Sequence, residues 1–278
     1  MTFIITLIAL VIERFFHWSH LRTWGWFNRY QQRLSTTRIA RWNSYFILFL
    51  CILPFLVIVG LLDRFLGGWF YSILQIIFGV IILLYCLGPT NLWVDTFSCL
   101  SELHREDPKV AIDRAQAAFR ITLPTDSQAY HQALTNAIFI EANQRIFAVV
   151  FWFVLLGPLG AVLYRLIALC AQQSELGLTQ TASNIQRILD WLPVRILTFI
   201  FALSGHFTEV FSLWKRDAKK GTSLNDKLLT ECGIAALGVS ENNRLPEDGV
   251  TEKAALELLD RSFVIGLVIL AAITLLIK

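Results

Sequence analysis

The sequence predicts an all-α, polytopic membrane protein with about four to six membrane segments and a helical cytoplasmic portion. Three observations carry this reading. Of its 278 residues, 55% are hydrophobic and only 16% are charged, whereas soluble domains run at about 25% charged residues. Mean hydropathy is +0.57. The apolar residues also gather into runs of helical length, and nothing in the chain reads as a sheet. A soluble enzyme of this length, a disordered chain and a disulfide-stapled secreted module are all excluded. The net charge of +3 is far below the concentrated basic charge of nucleic-acid binders, so no nucleic-acid partner is expected.

The first apolar run, 3–12, reaches only about 15 Å as a helix, half a hydrocarbon core. It reads as a partial or re-entrant segment, or as the start of a span extended by Phe15 and Phe16. No basic n-region precedes it and no A-x-A site follows, so the N-terminus is expected to stay on the mature protein. The stretch 14–42 sets Arg14, Arg22, Arg29, Arg33, Arg38 and Arg41 against one acid, Glu13, with aromatic rings between them. Beside a bilayer this composition predicts an in-plane helix facing membrane lipids, anchored by Arg14, Trp18, Arg22, Trp24, Trp26 and Arg29. His17 and His20, at i, i+3, read as part of that anchor, and no metal site is assigned.

The run 45–62 is a span that tolerates Pro54 as a kink. A turn over 63–68 leads to a return span at 69–87, giving a transmembrane hairpin within an N-terminal region 1–88. Residues 89–145 read as cytoplasmic amphipathic helices. Trp93, Phe97 and Leu100 share one face, Thr125-x-x-Gln128 reads as a capping box, and Tyr130, Leu134 and Ile138 share a second face. Membrane segments follow over 146–214, with a short periplasmic loop. The run 146–169 is interrupted by Gly157-Pro158-Leu159-Gly160, a kink or a point of close packing. The run 194–203 continues through Ser204-Gly205-His206 to near Trp214. A cytoplasmic loop and helix, 215–261, joins without a breaker to a transmembrane helix, 262–278. Together 251–278 make one helix of about 40 Å, with Ala254, Leu258 and Phe263 on its inner face.

Basic residues near span ends orient the chain. The arginine-rich stretch 14–42 belongs in the cytoplasm, as does 215–261 with Lys215, Arg216, Lys219, Lys220 and Lys227. The hairpin turn with Arg64, and 171–193 with Arg187, then face the periplasm. The five cysteines form no CxxC pair and read as reduced. Cys51, Cys86 and Cys170 lie in apolar runs, and Cys99 and Cys232 in polar loops.

Motifs of catalysis are missing. There is no P-loop, no G-x-G-x-x-G, no H-E-x-x-H and no G-x-S-x-G, so no catalytic residue and no cofactor is assigned. Candidate ligand- or partner-binding residues fall in three places. Glu141 and Arg145 sit at i, i+4 with Asn143 between them, and Glu141 reads as a ligand contact, as a general base, or as half of an ion pair ending a helix. Asp190 and Arg195 flank Pro193, which fits the first turn of a helix, and read as an interfacial lock. His206 and Glu209, at i, i+3, either bind a ligand or join two helices.

The strings Asn136-Ala137-Ile138-Phe139-Ile140-Glu141-Ala142-Asn143-Gln144-Arg145, Phe151-Trp152, Leu189-Asp190-Trp191-Leu192-Pro193-Val194-Arg195 and Leu203-Ser204-Gly205-His206 resemble the AmpE family. The opening Glu13-Arg14-Phe15-Phe16 and the closing helix are similar too, so the resemblance covers nearly the whole chain. It implies a multi-pass regulatory or signalling protein of the bacterial inner membrane. Such a protein modulates β-lactamase induction linked to cell-wall recycling. A peptidoglycan-derived ligand, a regulatory protein partner and a homo-oligomer are the implied partners.

AmpE is in turn similar to the CbiB/CobD membrane enzymes, which form an amide between cobyric acid and an aminopropanol arm. The shared features are the Glu106-Asp107-Pro108 turn, Phe151-Trp152, the 157–164 step and the P-x-R of Pro193–Arg195. The departures fall at 119–124, where those enzymes carry V-G-R-D-T, and at 166–174, where they carry N-T-L-D-S-M-V-G. Losing both polar strings implies a retained scaffold without amide synthesis. The alternative is a CbiB-like amide-forming enzyme.

Overall fold

The structure is a computed structural model that describes residues 2–15, 24–35, 43–66, 72–88, 91–103, 108–119, 121, 124, 126–172, 174, 176–238 and 249–276. Their regular structure is all helical, with no strand among the described residues. In chain order the helices are α1 (Thr2–Phe15), α2 (Gly25–Ser35), α3 (Ser44–Leu66), α4 (Ser72–Cys86), α5 (Leu92–Leu103) and α6 (Pro108–Phe119). Then follow α7 (Ser127–Ala142), α8 (Ala148–Leu156), α9 (Pro158–Gln172) and α10 (Thr179–Ser204). The last three are α11 (Phe207–Asp217), α12 (Asn225–Ala236) and α13 (Val250–Leu276). By contacts the chain divides into two units, one formed by 1–89 and 145–190, the other by 90–144 and 191–278.

Three helices are long and apolar enough to cross a membrane, Ser44–Leu66, Gln128–Leu156 and Val250–Leu276. Thr2–Glu13, Ile73–Cys86 and Pro158–Gln172 are shorter apolar helices. Pro54 sits inside α3 without ending it, as expected where the surroundings re-satisfy the freed carbonyl.

In the first unit α9 packs against α3, α4 and α8, and α1 lies along α4. Small residues set these approaches. A Cβ added at Gly79 of α4 would stand 3.0 Å from Ile5 of α1. Helix α2 turns its rings onto the same bundle. Phe27 is buried with its ring 5.8 Å from that of Phe55, Trp24 meets Tyr85 at 4.6 Å, and the Trp26 indole N–H donates to the Tyr85 hydroxyl at 2.7 Å. Of the expected anchors, Trp24 is therefore a packing residue. Arg29 and Trp26 remain exposed. Trp18, Arg22 and the side chain of Arg14 lie outside the described residues.

The run 146–169 differs from a single kinked span. Helix α8 ends at Gly157, whose φ of 66° is open to glycine and strained for other residues. Pro158 starts α9 at the position where its missing N–H costs nothing. Helix α9 then packs back along α8. At Gly160 an added Cβ would come 2.2 Å from the Trp152 carbonyl oxygen, so the hairpin closes only over glycine.

In the second unit α7 is the central helix, with α5, α6, α12 and α13 packed on it. Tyr130, Leu134 and Ile138 are buried as the periodicity predicts, whereas Phe97 of α5 is 50% exposed, outside the buried face. The cap of α7 is Asp126, which accepts from the Ala129 N–H at 3.0 Å. The cap thus falls one residue after the Thr125 that the capping-box pattern pointed to, because a carboxylate is an equally good N-cap acceptor. Helix α12 meets α7 where Gly233 lies under the Phe139 ring. The base of α13 is buried through Thr251, Glu252, Ala255, Leu256, Leu258, Leu259 and Ser262, and its far half exposes Val264, Val268, Ile273, Leu275 and Leu276. That single unbroken helix is the one expected from the missing breaker.

Two smaller expectations are corrected. Pro193 lies inside α10, fourteen residues after Thr179, not in a first turn. Cys99 and Cys232 sit buried within α5 and α12, not in loops, because each lies on the apolar face of its helix, and all five cysteines are free and buried.

Candidate functional site

A charged side chain that leaves water must find compensating contacts, so buried charges in an apolar protein mark the places built for them. Glu141, Asn143 and Arg195 are buried residues of the second unit, and Arg145 and Asp190 are buried residues of the first. His206 and Glu209 are exposed.

The segment Asn143–Phe147 forms a π-turn between α7 and α8. Such turns widen a helix by one residue and occur often at functional sites. Its sequence holds two of the candidates, Asn143 and Arg145. The α-helical i, i+4 spacing read between Glu141 and Arg145 therefore runs into a stretch where that spacing no longer holds.

Within the first unit, the Arg145 carbonyl accepts from the Gly88 N–H at 3.0 Å. A Cβ at Gly88 would stand 2.7 Å from the Arg145 Cβ, so glycine lets the Arg145 side chain lie across that backbone. Asp190 accepts from the Tyr164 hydroxyl at 2.7 Å, both groups buried. Beside Tyr164, Arg165 is among the largest fully buried side chains, 1% exposed. Arg165 was missed at the level of sequence. Its signal was there, since it is the only charged residue in 146–174, and an ionisable group in such a run is a functional candidate by default.

Within the second unit, Arg195 places four of its five N–H groups on acceptors. Its Nε donates to the Ala218 carbonyl at 2.5 Å, Nη1 to the Trp191 carbonyl at 2.7 Å and the Asn225 Oδ1 at 3.0 Å, and Nη2 to the Lys220 carbonyl at 2.7 Å. The guanidinium also lies 4.2 Å over the Trp191 ring. Ala218 and Lys220 directly follow α11, so the cation gathers carbonyls left over at a helix C-terminus, where the dipole favours positive charge. Arg195 thereby positions α11 and the chain leading into α12. Asp190 and Arg195 engage different partners, the first Tyr164 and the second these carbonyls.

A second buried pair was also missed. His131 Nδ1 lies 2.6 Å from Glu252 Oε1, the two side chains 1% and 0% exposed, joining α7 to α13. His131 continues the apolar row Leu134, Ile138 and Ala142, and a polar residue in such a row was the available signal. Buried Asp217 pairs with exposed Arg216 at 2.8 Å and with exposed Lys220, and Arg216 reaches Glu231 at 3.0 Å. Hydrogen bonds from Arg216 and Lys220 hold the Asp217 carboxyl down to about 2. No group of three or more His, Cys, Asp and Glu side chains gathers among the described residues. These arrangements fix helices and offer polar contacts.

Comparison with known proteins adds the relationship. The family model "Regulatory signalling modulator protein AmpE" matches residues 1–277. Protein AmpE of Shigella flexneri is 25% identical over 300 aligned positions, covering 99% of this chain and 98% of that protein. Cobalamin biosynthesis protein CobD of Stutzerimonas stutzeri is 26% identical over 76% of this chain and 71% of its own length. The CobD of Chromobacterium violaceum is 29% identical over 60% of this chain and 56% of its own length. No solved structure gives a significant match. The helices, the apolar exterior and the match along the full length agree that this is a regulatory membrane protein, and the chain belongs to the AmpE family.

Proposed function

We propose that the protein works as a multi-pass regulator in a bacterial inner membrane, modulating β-lactamase induction linked to cell-wall recycling. It does so by binding a small peptidoglycan-derived ligand or a regulatory protein partner, with a homo-oligomer as the form to test by sizing. The carrying observation is the full-length family match. It is supported by Glu141 and Asn143, buried where α7 meets a π-turn, a place where polar groups are kept at a cost. Arg195, four of whose five N–H groups donate inside the protein, serves this reading as a positioning residue. The test is complementation of a deletion strain carrying an inducible β-lactamase, reading enzyme activity after a β-lactam challenge. Wild type restores the parental response. Glu141→Gln reaches normal membrane abundance yet shifts the response severalfold, while Arg195→Ala lowers abundance itself. A deletion with unaltered induction overturns the proposal.

The similarity to two CobD proteins favours one second reading, a CbiB-like amide-forming enzyme. Against it stand Phe119-Arg120-Ile121-Thr122-Leu123-Pro124 and the largely apolar 166–174, in place of that family's polar strings. Amide product from purified protein, ATP, cobyric acid and an aminopropanol would establish it.

A further inference from the structure

Hydropathy carries the chain from α10 straight on to Trp214, but the structure breaks it. Helix α10 ends at Ser204, and Gly205 lies so close to α12 that an added Cβ would stand 2.3 Å from the Ala236 carbonyl oxygen. The His206 N–H donates to that same carbonyl at 3.3 Å. Helix α11 therefore starts afresh, and three of its faces have different chemistry. Val210 and Asp217 are buried, on the side of α12. Thr208, Glu209, Ser212 and Arg216 are exposed and polar. Between them runs a ladder of rings at i, i+4 and i+7. Phe207 stacks on Phe211 at 5.3 Å and 10°, and Phe211 on Trp214 at 6.0 Å and 11°. Phe207 is 47% exposed, and the ladder continues onto α10 through Phe199, 5.6 Å from Trp214, and exposed Leu203.

Charge borders this ladder. Lys215 lies on the helix flank next to Phe211, one residue past Trp214, and Lys219 just beyond the helix end. Arg216 and Lys220 are engaged by Asp217 and Glu231. Lys215 and Lys219 are exposed and have no acidic partner among the described residues. A helix with rings on one face, polar groups opposite and lysines at the border settles in the interface, rings at headgroup depth and ammonium groups at lipid phosphates. We propose that α11 lies in the membrane surface and binds anionic phospholipid headgroups, with Phe207, Phe211 and Trp214 inserted and Lys215 and Lys219 on the phosphates.

The test reconstitutes the full chain in nanodiscs of phosphatidylcholine with and without phosphatidylglycerol. An environment-sensitive fluorophore is placed on F211C or on S212C, with the unsubstituted chain setting the background from the buried native cysteines. The F211C probe should be quenched by lipid brominated near the headgroup and shielded from iodide, and the S212C probe should show the reverse. Native mass spectrometry should show K215Q/K219Q losing its preference for phosphatidylglycerol, roughly fivefold per lysine, while K227Q, whose lysine pairs with Glu231, keeps it. A probe at 211 open to iodide overturns the proposal. So does one shielded from iodide but untouched by brominated lipid, which means a protein covers the face. An unchanged lipid preference in the double variant overturns the headgroup assignment.

Discussion

The two units bury polarity in different ways. The unit formed by 1–89 and 145–190 brings its helices together over glycine, at Gly79, Gly88 and Gly160, and buries Glu13, Arg145, Arg165 and the Tyr164–Asp190 pair among them. The unit formed by 90–144 and 191–278 joins its helices with charge, through His131 and Glu252, the acceptors around Arg195, and the Arg216, Asp217 and Glu231 group. Apolar helices have no hydrophobic gain from leaving lipid for one another, so close contact must hold them. Amphipathic helices have polar faces to reconcile, and hydrogen-bonded pairs do it while fixing register.

That contrast breaks first at its glycines. At Gly160 the obstacle to a side chain is the Trp152 backbone carbonyl, which cannot yield, whereas at Gly233 of the other unit it is a side chain, the Phe139 ring, 2.6 Å from an added Cβ. Gly160→Leu should leave little folded protein by size-exclusion chromatography in detergent. Gly233→Ala should cost about 2 kcal/mol and still fold. Equal losses would end the distinction between a backbone obstacle and a side-chain one. Next comes the buried pair of the second unit. Removing His131 strands a carboxylate that is 0% exposed, so His131→Ala and Glu252→Ala should each lower stability by about 3 kcal/mol. The double variant should recover about 2 kcal/mol relative to additivity, read from thermal melts in one detergent.

The smallest effect is electrostatic. The Asp217 carboxyl is held at about 2, below its ordinary value of 3.8, by Arg216 and Lys220. A carboxyl depressed by folding adds stability that is complete above the unfolded value and drains away as pH falls from about 4 to about 2. Asp217→Asn should therefore flatten the melting temperature across that window and leave the profile above pH 5 parallel to wild type. Both partners are exposed, so the effect is slight and salt should weaken it.

Much of the fold was legible. Membrane segments follow from apolar run length alone, and the unbroken α13 from the lack of any Gly or Pro between Thr251 and Arg261. The one glycine of the helix, Gly266, lies beyond that stretch, and an added Cβ there would meet only Ile200, at 3.6 Å. The π-turn was not legible, because one extra residue in a helix leaves no mark in a periodicity blurred by apolar residues on every side. The site was read in part. Glu141, Asn143, Arg145, Asp190 and Arg195 are all buried, but spacing along one helix says nothing about partners on another. His131 and Glu252 are 121 positions apart, and Arg195 finds backbone carbonyls, which every residue carries and no pattern displays. Hydropathy reads 194–214 as one run, whereas the break at Gly205 starts a new helix on which His206 and Glu209 are exposed.

The reversal at Gly157 bears on how passes are counted. Its tip is made of Leu155, Leu156, Pro158 and Leu159, without a charge to hold it in water. Its backbone closes on itself, the Gly157 N–H on the Phe153 carbonyl at 2.8 Å and the Gly160 N–H on the Gly157 carbonyl at 3.1 Å. An apex so self-sufficient can rest in hydrocarbon, where open loops are forbidden. Were it to rest there, the stretch from about 148 to about 172 would enter and leave on one side, and the number of passes would change by one.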